Sequence, residues 1–403
     1  MTLASMIPQA ALPSPSTAVW QLGPLPLRAY ALCIIAGIVV ACVVTERRLR
    51  QRGVAPGAVL DIAVWAVPTG IIGARIYHVI TSPEKYFGAG GEPLKAFAIW
   101  EGGLGIWGAV AGGAFGAWIA ARQLGIPFTV VADALAPGLP LAQAVGRFGN
   151  WFNNELYGGL TTLPWGLRVH DMDPSNPGHA KVVDGEPVLL PGLYQPTFLY
   201  EALWNVGVAA LVLFLDRKLR LGKGRAFALY VMGYTAGRFW IELMRTDEAT
   251  HILGVRLNVF TAALVFVGAL IYFLRVRGPR EYLVPIGGPT PAPAATGGDV
   301  SQVDLSQREA GAQAAAPEGY RVVGEEQFHA YRDTGVVPDG PDATVDDDDT
   351  PGPDGPDPDV DDDDTPGPGA TGDDAPDDRE AGDVPAGDER AGTTGPRATD
   401  RES

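Results

Sequence analysis

The stretch that decides the fold is residues 128–159, in which the apolar run FTVVADALAPGLPLAQAV is followed by GRFGNWFNNELYGG. Only Asp133 and Gln143 interrupt the apolar run, which has roughly the length needed to cross the ~30 Å hydrocarbon core of a bilayer. Arg147 therefore falls at or just inside a membrane boundary, where a charge is costly unless it has a partner or a function. Glycines and polar side chains surround it: Gly146, Gly149, Asn150, Asn153, Asn154, Glu155 and Gly158. Small residues beside amide and carboxylate groups suit a bound phosphate with polar neighbours, so we predict that the active site lies here.

Six further apolar segments flank this one. The seven predicted spans cover about residues 27–45, 58–80, 102–121, 128–145, 198–215, 226–244 and 259–274. We therefore predict an all-α polytopic membrane protein of about seven transmembrane helices. Its catalytic domain would be residues 27–280, preceded by an extracytoplasmic segment, residues 1–26. The connection of roughly forty residues that ends at Gln195 predicts a small extracytoplasmic cap.

Basic residues predict the orientation. Arginines cluster after the first span, between Arg47 and Arg52, and basic clusters also follow the fifth and seventh spans at 216–225 and 275–280. All three clusters lie on one side of a seven-span protein, and basic loops mark the cytoplasm. The amino terminus is therefore expected outside. The first basic residue, Arg28, follows the apolar amino-terminal segment rather than preceding it, which argues against a cleaved signal peptide.

The last part of the chain has a different composition. The formal net charge of the 403 residues is −17, and the acidic residues concentrate beyond residue 280, whereas residues 1–280 are net basic. The nine residues Val345–Pro353, VDDDDTPGP, recur as Val360–Pro368. A segment this acidic and proline-rich has too few aliphatic residues to bury a core. Residues 281–403 are predicted to be a disordered acidic cytoplasmic tail.

Cysteines and histidines offer no competing chemistry. Cys33 and Cys42 are nine positions apart, which on a helix places them about 13.5 Å apart along the axis and on opposite faces, beyond disulfide reach. None of the five histidines has the spacing of a metal ligand pair. We expect no metal and no nucleic-acid partner.

A second polar group lies in the sixth span. Tyr234, Arg238, Glu242 and Arg245 share one helix face, within about 80° of one another. Taken alone, this face is explained equally well by an internal Arg–Glu pair that only fixes helix packing. Arg147 alone is explained by a snorkelling helix end. Together, two guanidiniums near the same membrane level are able to grip one phosphate, and at that depth the natural phosphate is a phospholipid head group.

These residues resemble the prolipoprotein diacylglyceryl transferase family of bacterial lipoprotein maturation. Its hallmark is similar to Gly146-Arg147-x-Gly149-Asn150-x-x-Asn153-x-Glu155-x-x-Gly158. The resemblance extends over about residues 24–278 through further short motifs: Arg28-Ala29-Tyr30, Gly73-Ala74-Arg75, Trp100-Glu101-Gly102-Gly103, Leu163-Pro164-Trp165-Gly166, Leu199-Tyr200-Glu201-Ala202 and the Tyr234–Arg245 face.

The resemblance implies a reaction. The diacylglyceryl group of phosphatidylglycerol passes to the lipobox cysteine thiol of a prolipoprotein, which forms a thioether and releases glycerol phosphate. It implies a multi-pass protein of the bacterial plasma membrane whose partners are phosphatidylglycerol, prolipoprotein signal peptides and membrane lipids. No metal or organic cofactor is implied, because phosphatidylglycerol is a cosubstrate.

It also implies roles for particular residues. Arg147 and Arg238 would hold the phosphate. Asn150 and Asn153 would orient the glycerol hydroxyls or the loop, with Gly158 beside the lipid. Glu155 and Glu242 would fix the arginines. Tyr30 and Tyr234 are candidates for contacting the head group or relaying a proton. Many relatives have His where this chain has Trp107 and Gln195, so the general base stays unassigned.

Two other classes of protein stay open at this point. A seven-helix lipid transporter or receptor would use the same two arginines to bind an anionic head group and leave the lipid intact; no internal repeat between residues 27–145 and 198–274 supports it. A scaffold would act through its acidic tail, and deletion of residues 281–403 would abolish its role. The transferase hypothesis predicts that this deletion leaves turnover nearly unchanged.

Overall fold

The computed structural model describes residues 11–88, 90–99, 102–245, 251–252, 254–286 and 319–338, and helices dominate it. Trp100 and Glu101 lie outside these ranges. The helices are α1 (Ala29–Gln51), α2 (Ala58–Thr81), the short α3 (Glu84–Phe87), α4 (Ile106–Gln123), α5 (Phe128–Leu135), α6 (Gly138–Asn153), α7 (Thr197–Leu219), α8 (Arg225–Met244), α9 (Leu257–Arg275) and α10 (Glu325–Thr334). They confirm a mostly helical protein.

The strands are short and pair locally. They are β1 (Val19–Leu22), β2 (Leu25–Arg28), β3 (Leu160–Thr161), β4 (Val182–Val183), β5 (Glu186–Pro187), β6 (Leu193–Tyr194), β7 (His251–Ile252), β8 (Val255–Arg256), β9 (Tyr282–Ile286) and β10 (Gly319–Val323). Each pairs antiparallel with one partner: β1 with β2, β3 with β6, β4 with β5, β7 with β8 and β9 with β10.

Fewer helices than the predicted seven are long and apolar enough to be identified as membrane spans. Four helices, α1, α2, α7 and α9, are long and apolar enough to cross a membrane, and α5 with α6 makes a fifth if that bent pair is one span. Helices α4 and α8 do occupy the third and sixth predicted segments. However, the glycines of α4 and its end in Arg122-Gln123 lower its hydropathy, and α8 carries the charged residues Arg238 and Glu242. Among the described residues, seven spans therefore remain a prediction.

The decisive stretch of the sequence forms a bent helix pair. The axes of α5 and α6 differ by 45°, and the break falls at Pro137, whose ring removes a backbone N–H donor. Helix α6 is capped by the next residue, Asn154, whose φ of 52° is left-handed, a conformation that asparagine tolerates better than most residues. The predicted motif is thus the last turns of a helix and the loop that follows it.

The helices run between two ends of the bundle, which we name by their residues. At the motif end, α1 begins at Ala29, α6 finishes at Asn153 and α7 begins at Thr197. At the basic end, α1 finishes at Gln51 and α8 begins at Arg225. Helices α2 and α4 pack closely on each other, because an added Cβ at Gly108 or Gly112 would collide with the α2 backbone. A buried core at the basic end joins this pair to the other helices: Leu49, Val59, Ile62, Ala120, Ala121, Val130 and Val131.

A cap covers the motif end. The segment from residue 11 to residue 18 pairs with the long connection between α6 and α7 through the bridges Leu12 to Leu167 and Thr17 to His179. The Asn154 side chain joins the two, because its Nδ2 donates to the carbonyl of Pro15 (2.7 Å) and its Oδ1 accepts from the backbone N–H of His170 (2.9 Å). The predicted small cap is present, and the amino-terminal segment is part of it.

The prediction of a disordered tail from residue 281 is wrong for two segments. Strands β9 and β10 with helix α10, which we call the C-terminal module, bury their own small core: Tyr282, Val284, Val323, Phe328 and Tyr331. The module is docked at the basic end, where the N–H of Leu283 donates to the carbonyl of Arg52 (2.7 Å). Tyr282–Ile286 is apolar throughout, and the other two elements contribute a few apolar side chains, so these segments bury a core even though the composition of the whole tail is polar. Both copies of the acidic repeat lie outside the described residues.

Candidate active site

Arg147 lies in the middle of α6 and is paired with a carboxylate from the neighbouring helix α7. Its Nη2 is 2.6 Å from Oε2 of Glu201, in the second turn of α7. The Glu201 side chain is 4% exposed and that of Arg147 is 17% exposed. A buried carboxylate in an otherwise apolar helix needs such a partner, and Arg147 keeps part of its surface open.

Arg238 reaches the same carboxylate from α8. Its Nη1 is 3.5 Å from Oε2 of Glu201, and its Nη2 is 2.5 Å from Oε2 of Glu242. The two guanidiniums, from different helices, therefore face one oxygen atom. The predicted convergence of Arg147 and Arg238 is present, as is the predicted contact of Arg238 with Glu242.

Glu242 joins α8 to the start of α9. Its Oε1 accepts hydrogen bonds from Nε of Arg256 (2.9 Å) and Nδ2 of Asn258 (3.0 Å), and Nη1 of Arg245 is 3.7 Å from Oε2. The Glu242 side chain is 1% exposed. So many partners on one buried carboxylate indicate that it holds the arginines in position and is not itself exchanged.

Glu155 does not hold Arg147, which corrects the sequence-based assignment. Its Oε1 accepts hydrogen bonds from Nδ2 of Asn150 (2.9 Å) and Nδ2 of Asn153 (3.2 Å). The carboxylate thus holds the two side-chain amides at the end of α6 in position. The reason lies in the left-handed turn at Asn154, which folds the chain back so that Glu155 faces its own helix end.

Gly158 lies where the motif loop meets two other segments. It forms a β-bridge with Arg245 and donates its N–H to the carbonyl of Gln195 (3.0 Å). An added Cβ would lie 2.8 Å from Cβ of Gln195 and 3.1 Å from the carbonyl oxygen of Met244. Gly158 therefore has a packing role, because only a residue without a side chain lets these backbones approach.

The two predicted tyrosines have different surroundings. Tyr30, in the first turn of α1, packs its ring on Gly149, where an added Cβ would lie 2.6 Å from the ring. Tyr234 lies one helical turn from Arg238, with its ring 6.1 Å from that of Tyr230, and it packs on an apolar cluster nearer the basic end. Tyr30 is thus beside the motif, whereas Tyr234 is partly withdrawn from it.

A cleft of about 1130 Å³ opens at the motif end. Polar side chains from α1 and from the end of the motif line it, together with apolar residues of the cap and of the loop before α4. The lining includes Arg28, Tyr30, Asn153, Glu155, Leu104, Met172 and Pro174. The cleft thus gives a ligand of mixed polar and apolar character access to the predicted motif.

The two positions where relatives have histidine are occupied differently. Gln195 is held at both ends, because its Oε1 accepts from the Tyr200 hydroxyl (2.8 Å) and its Nε2 donates to Oγ1 of Thr161 (3.1 Å). Trp107, in the first turn of α4, is 50% exposed. Neither side chain is a base near neutral pH. The described residues contain no group of three or more His, Cys, Asp or Glu side chains that would hold a metal ion.

Sequence reasoning missed three members of this network, Glu201, Arg256 and Asn258. A signal was available for Glu201, since a lone acid early in an apolar span implies a buried partner. Arg256 and Asn258 stand at the start of α9, at a helix boundary where polar residues are ordinary. Only their contacts with Glu242 distinguish them.

Fold and site together define a helical membrane protein with a buried arginine–carboxylate network at one end of its bundle. Residues 17–275 match the family model described as prolipoprotein diacylglyceryl transferase. The chain therefore belongs to the prolipoprotein diacylglyceryl transferase family.

Curated relatives agree with the family match. A phosphatidylglycerol–prolipoprotein diacylglyceryl transferase of Frankia alni is 58% identical over 272 residues, which cover 68% of this chain and 69% of the relative. One of Streptomyces coelicolor is 55% identical over 70% of this chain and 80% of the relative. One of Rhodococcus jostii is 52% identical over 74% and 84%.

Proposed function

We infer that this protein is a membrane transferase that moves the diacylglyceryl group of phosphatidylglycerol to a prolipoprotein, and we propose that the reaction takes place at Arg147 and Arg238. The observation that carries the proposal is the convergence of these two guanidiniums, from α6 and α8, on one oxygen of Glu201. Two partly open arginines that converge on one point suit an anionic head group. The names of the relatives supply the donor and the acceptor.

The chemistry is a displacement at an sp³ carbon. The cysteine sulfur of the lipobox attacks the glycerol carbon that carries the phosphate ester, a C–S bond forms and the C–O bond breaks. Its electron pair stays on the oxygen, which leaves as glycerol phosphate, and the thiol proton passes to a base. The phosphate charge rises from about −1 in the diester toward −2 in the leaving group. Two guanidiniums therefore stabilise the transition state more than the bound lipid, which is what accelerates a reaction.

The other site residues have supporting roles in this proposal. Asn150 and Asn153, held by Glu155, orient the glycerol hydroxyls or the loop. Glu242 holds Arg238, and Gly158 keeps the wall of the site closely packed.

The proton acceptor is proposed from position. A thiol has a pKa of about 8.5, so thiolate formation near neutral pH needs assistance. Of the two tyrosines, Tyr30 is favoured because it lines the cleft with Asn153 and Glu155. Tyr30→Phe with full turnover would exclude a relay through its hydroxyl, and Tyr234→Phe tests the second tyrosine in the same way.

The partners follow from the same chemistry. Phosphatidylglycerol is a cosubstrate and the thiol comes from the prolipoprotein, so we propose that no metal or organic cofactor takes part. The prolipoprotein is held in the bilayer by its signal helix, and the lipid by its acyl chains.

We propose the bacterial plasma membrane as the location, with the motif end outside and the basic end in the cytoplasm. Arginines at the end of α1, in the last turn of α4 and in the last turn of α9 support this orientation. It puts the cap outside and the C-terminal module and tail inside.

The test is mass spectrometry of a lipobox peptide incubated with the purified protein and phosphatidylglycerol, with Arg147→Ala alongside. The expected result is a diacylglyceryl mass gain on the peptide cysteine that is absent with the variant. An unmodified peptide, with phosphatidylglycerol bound and intact, would replace the transferase by a lipid-binding or transport protein.

A further inference from the structure

Glu201 occupies the position that the proposed function reserves for a phosphate. Its Oε2 lies 2.6 Å from Arg147 and 3.5 Å from Arg238. The carboxylate is therefore an anion already present between the two guanidiniums. We propose that Glu201 is a built-in competitor of the substrate phosphate, which moves off the arginines when the lipid binds and returns to displace glycerol phosphate. This inference rests on the proposed function.

The contacts of the two arginines are unequal, which decides where the exchange takes place. Arg238 has a second carboxylate partner, Glu242, at 2.5 Å, so it stays neutralised and oriented when Glu201 leaves. The ion pair described for Arg147 is the one with Glu201. Arg147 therefore trades its carboxylate for the phosphate, and Arg238 serves as the fixed side of the site.

Burial keeps the displaced carboxylate nearby. The Glu201 side chain is 4% exposed and is anchored in the second turn of α7. It cannot move far into solvent, so its effective concentration at Arg147 stays high. A free phosphate compound has to compete with this tethered anion at every encounter.

The need for a competitor follows from the charges in the reaction. A phosphodiester lipid carries one negative charge, whereas the leaving glycerol phosphate carries about −1.5 to −2 at pH 7. Two bare guanidiniums would bind the product more tightly than the substrate, and product release would limit turnover. A returning carboxylate weakens the binding of the product, because it neutralises the arginines as the product departs.

The experiment compares product inhibition in Glu201→Gln and in the wild type, with glycerol phosphate as the probe. The amide keeps the shape of the side chain and removes its charge. We expect the inhibition constant of glycerol phosphate to fall about tenfold, a change equivalent to one pKa unit of electrostatic interaction. The KM for phosphatidylglycerol should fall by a smaller factor, because the diester carries less charge. Multiple-turnover kcat should fall more than the single-turnover rate, because release becomes slower.

Two variants accompany Glu201→Gln. Asp171→Asn removes a carboxylate from the cap, where Asp171 pairs with Lys181 and touches neither arginine, and should leave product inhibition unchanged. Glu201→Asp keeps the charge and withdraws it by one methylene group, so it should strengthen product inhibition by a smaller factor. It decides the question if Glu201→Gln does not fold.

A positioning role without competition predicts the opposite sign, because disordered arginines bind every phosphate less well. Unchanged or weaker inhibition by glycerol phosphate in the Glu201 variants, with a normally active wild type, would overturn the inference and leave the proposed function standing. A wild type that forms no diacylglyceryl peptide would instead overturn the proposed function.

Discussion

Both ends of the bundle contain arginines paired with buried carboxylates, but the arginines differ in how much of their side chains is exposed. At the motif end, Arg147 and Arg238 keep 17% and 19% of their side chains exposed. At the basic end, Arg48 and Arg52 keep 10% and 4%. Both pairs of arginines sit against buried carboxylates of neighbouring helices, so charge alone does not distinguish a site from a scaffold.

The carboxylates at the basic end are committed to structure. Asp133, which is fully buried, accepts hydrogen bonds from the backbone N–H groups of Gly224 (3.0 Å) and Phe227 (3.1 Å) at the start of α8. It therefore caps a helix that has no side-chain cap of its own. Asp216 pairs with Arg48 at 2.8 Å and with Arg280 at 3.0 Å.

At the motif end, two arginines share a single carboxylate oxygen, whereas Arg48 and Arg280 contact different oxygens of Asp216. Glu201 meets Arg147 and Arg238 through one oxygen, and both of these arginines keep part of their surface open. A buried pair whose carboxylate also caps backbone is a scaffold, because exchanging it would break a helix. A carboxylate that two partly exposed arginines share through one oxygen is able to exchange. This contrast gives the following predictions, in order of decreasing effect.

The largest effect is expected from lysine substitution of arginines at the two ends. Arg147→Lys and Arg238→Lys should each lower turnover about 10²- to 10³-fold, because an ammonium cannot reproduce a two-pronged grip on a developing phosphate charge. Arg48→Lys should leave turnover per folded molecule within about twofold and mainly lower stability. Peptide mass spectrometry and thermal unfolding in detergent measure the two quantities. A hundredfold loss of turnover in folded Arg48→Lys would remove the distinction between the ends.

The next effect concerns stability at the basic end. Asp133→Asn should lower the free energy of unfolding by about 3 kcal/mol, because an amide nitrogen meets the N–H groups of α8 and the Arg52 charge loses its counterion. Turnover per folded molecule should stay near that of the wild type. Thermal unfolding checks the first expectation, and Asp171→Asn, at a partly exposed ion pair of the cap, is the control with little change. An Asp133→Asn protein as stable as the wild type would contradict the capping role.

The C-terminal module gives a smaller effect. Removal of residues 281–403 takes away Leu283, which is fully buried against Leu49 and Val54, and should cost about 2 kcal/mol of stability. Removal of residues 339–403 leaves the described module intact and should change neither stability nor turnover. Two equally stable truncated proteins would show that the module contributes nothing to the basic end. Loss of turnover on removal of residues 339–403 alone would give the acidic repeat a role.

The smallest effect is a pH response of the cap. Burial holds the pKa of His170 below its ordinary value, and its Nδ1 lies 2.9 Å from Oγ of Ser14. The docked cap thus keeps His170 neutral, whereas an undocked one takes up a proton below about pH 6.5. The contact therefore stabilises the cap above that pH, and its contribution is lost as the pH falls below it.

Hydrogen exchange of residues 11–18, corrected for the intrinsic rate, measures this response. A few-fold loss of protection is expected between pH 7.5 and pH 5.5. His170→Asn should remove the pH dependence, and a response that persists in this variant would assign it to another group. The basic end serves as the internal reference in the same experiment.

The sequence by itself determined the helical class and the family, and it predicted the main residues of the candidate site. Long apolar runs and the motif around Arg147 are local patterns, and such patterns are recognised from the sequence alone. The sequence also predicted that Arg238 and Glu242 share a helix face, because residues four positions apart lie on the same face of a helix. The composition of the tail misled for residues 282–286 and 319–338, because an average over 123 residues hides the few apolar side chains that form a core there.

Only the tertiary structure decided which charges meet. The pairing of Arg147 with Glu201 joins residues 54 positions apart, and the capping of α8 by Asp133 joins residues about 90 positions apart. No periodicity specifies such partners, because they depend on how helices pack and on where a loop turns back, as at Asn154. The family resemblance implied that Glu155 fixes an arginine, whereas the left-handed turn at Asn154 places it against Asn150 and Asn153 instead. The sequence supplied the charged groups, and the packing of α6, α7 and α8 determined that two arginines share one oxygen.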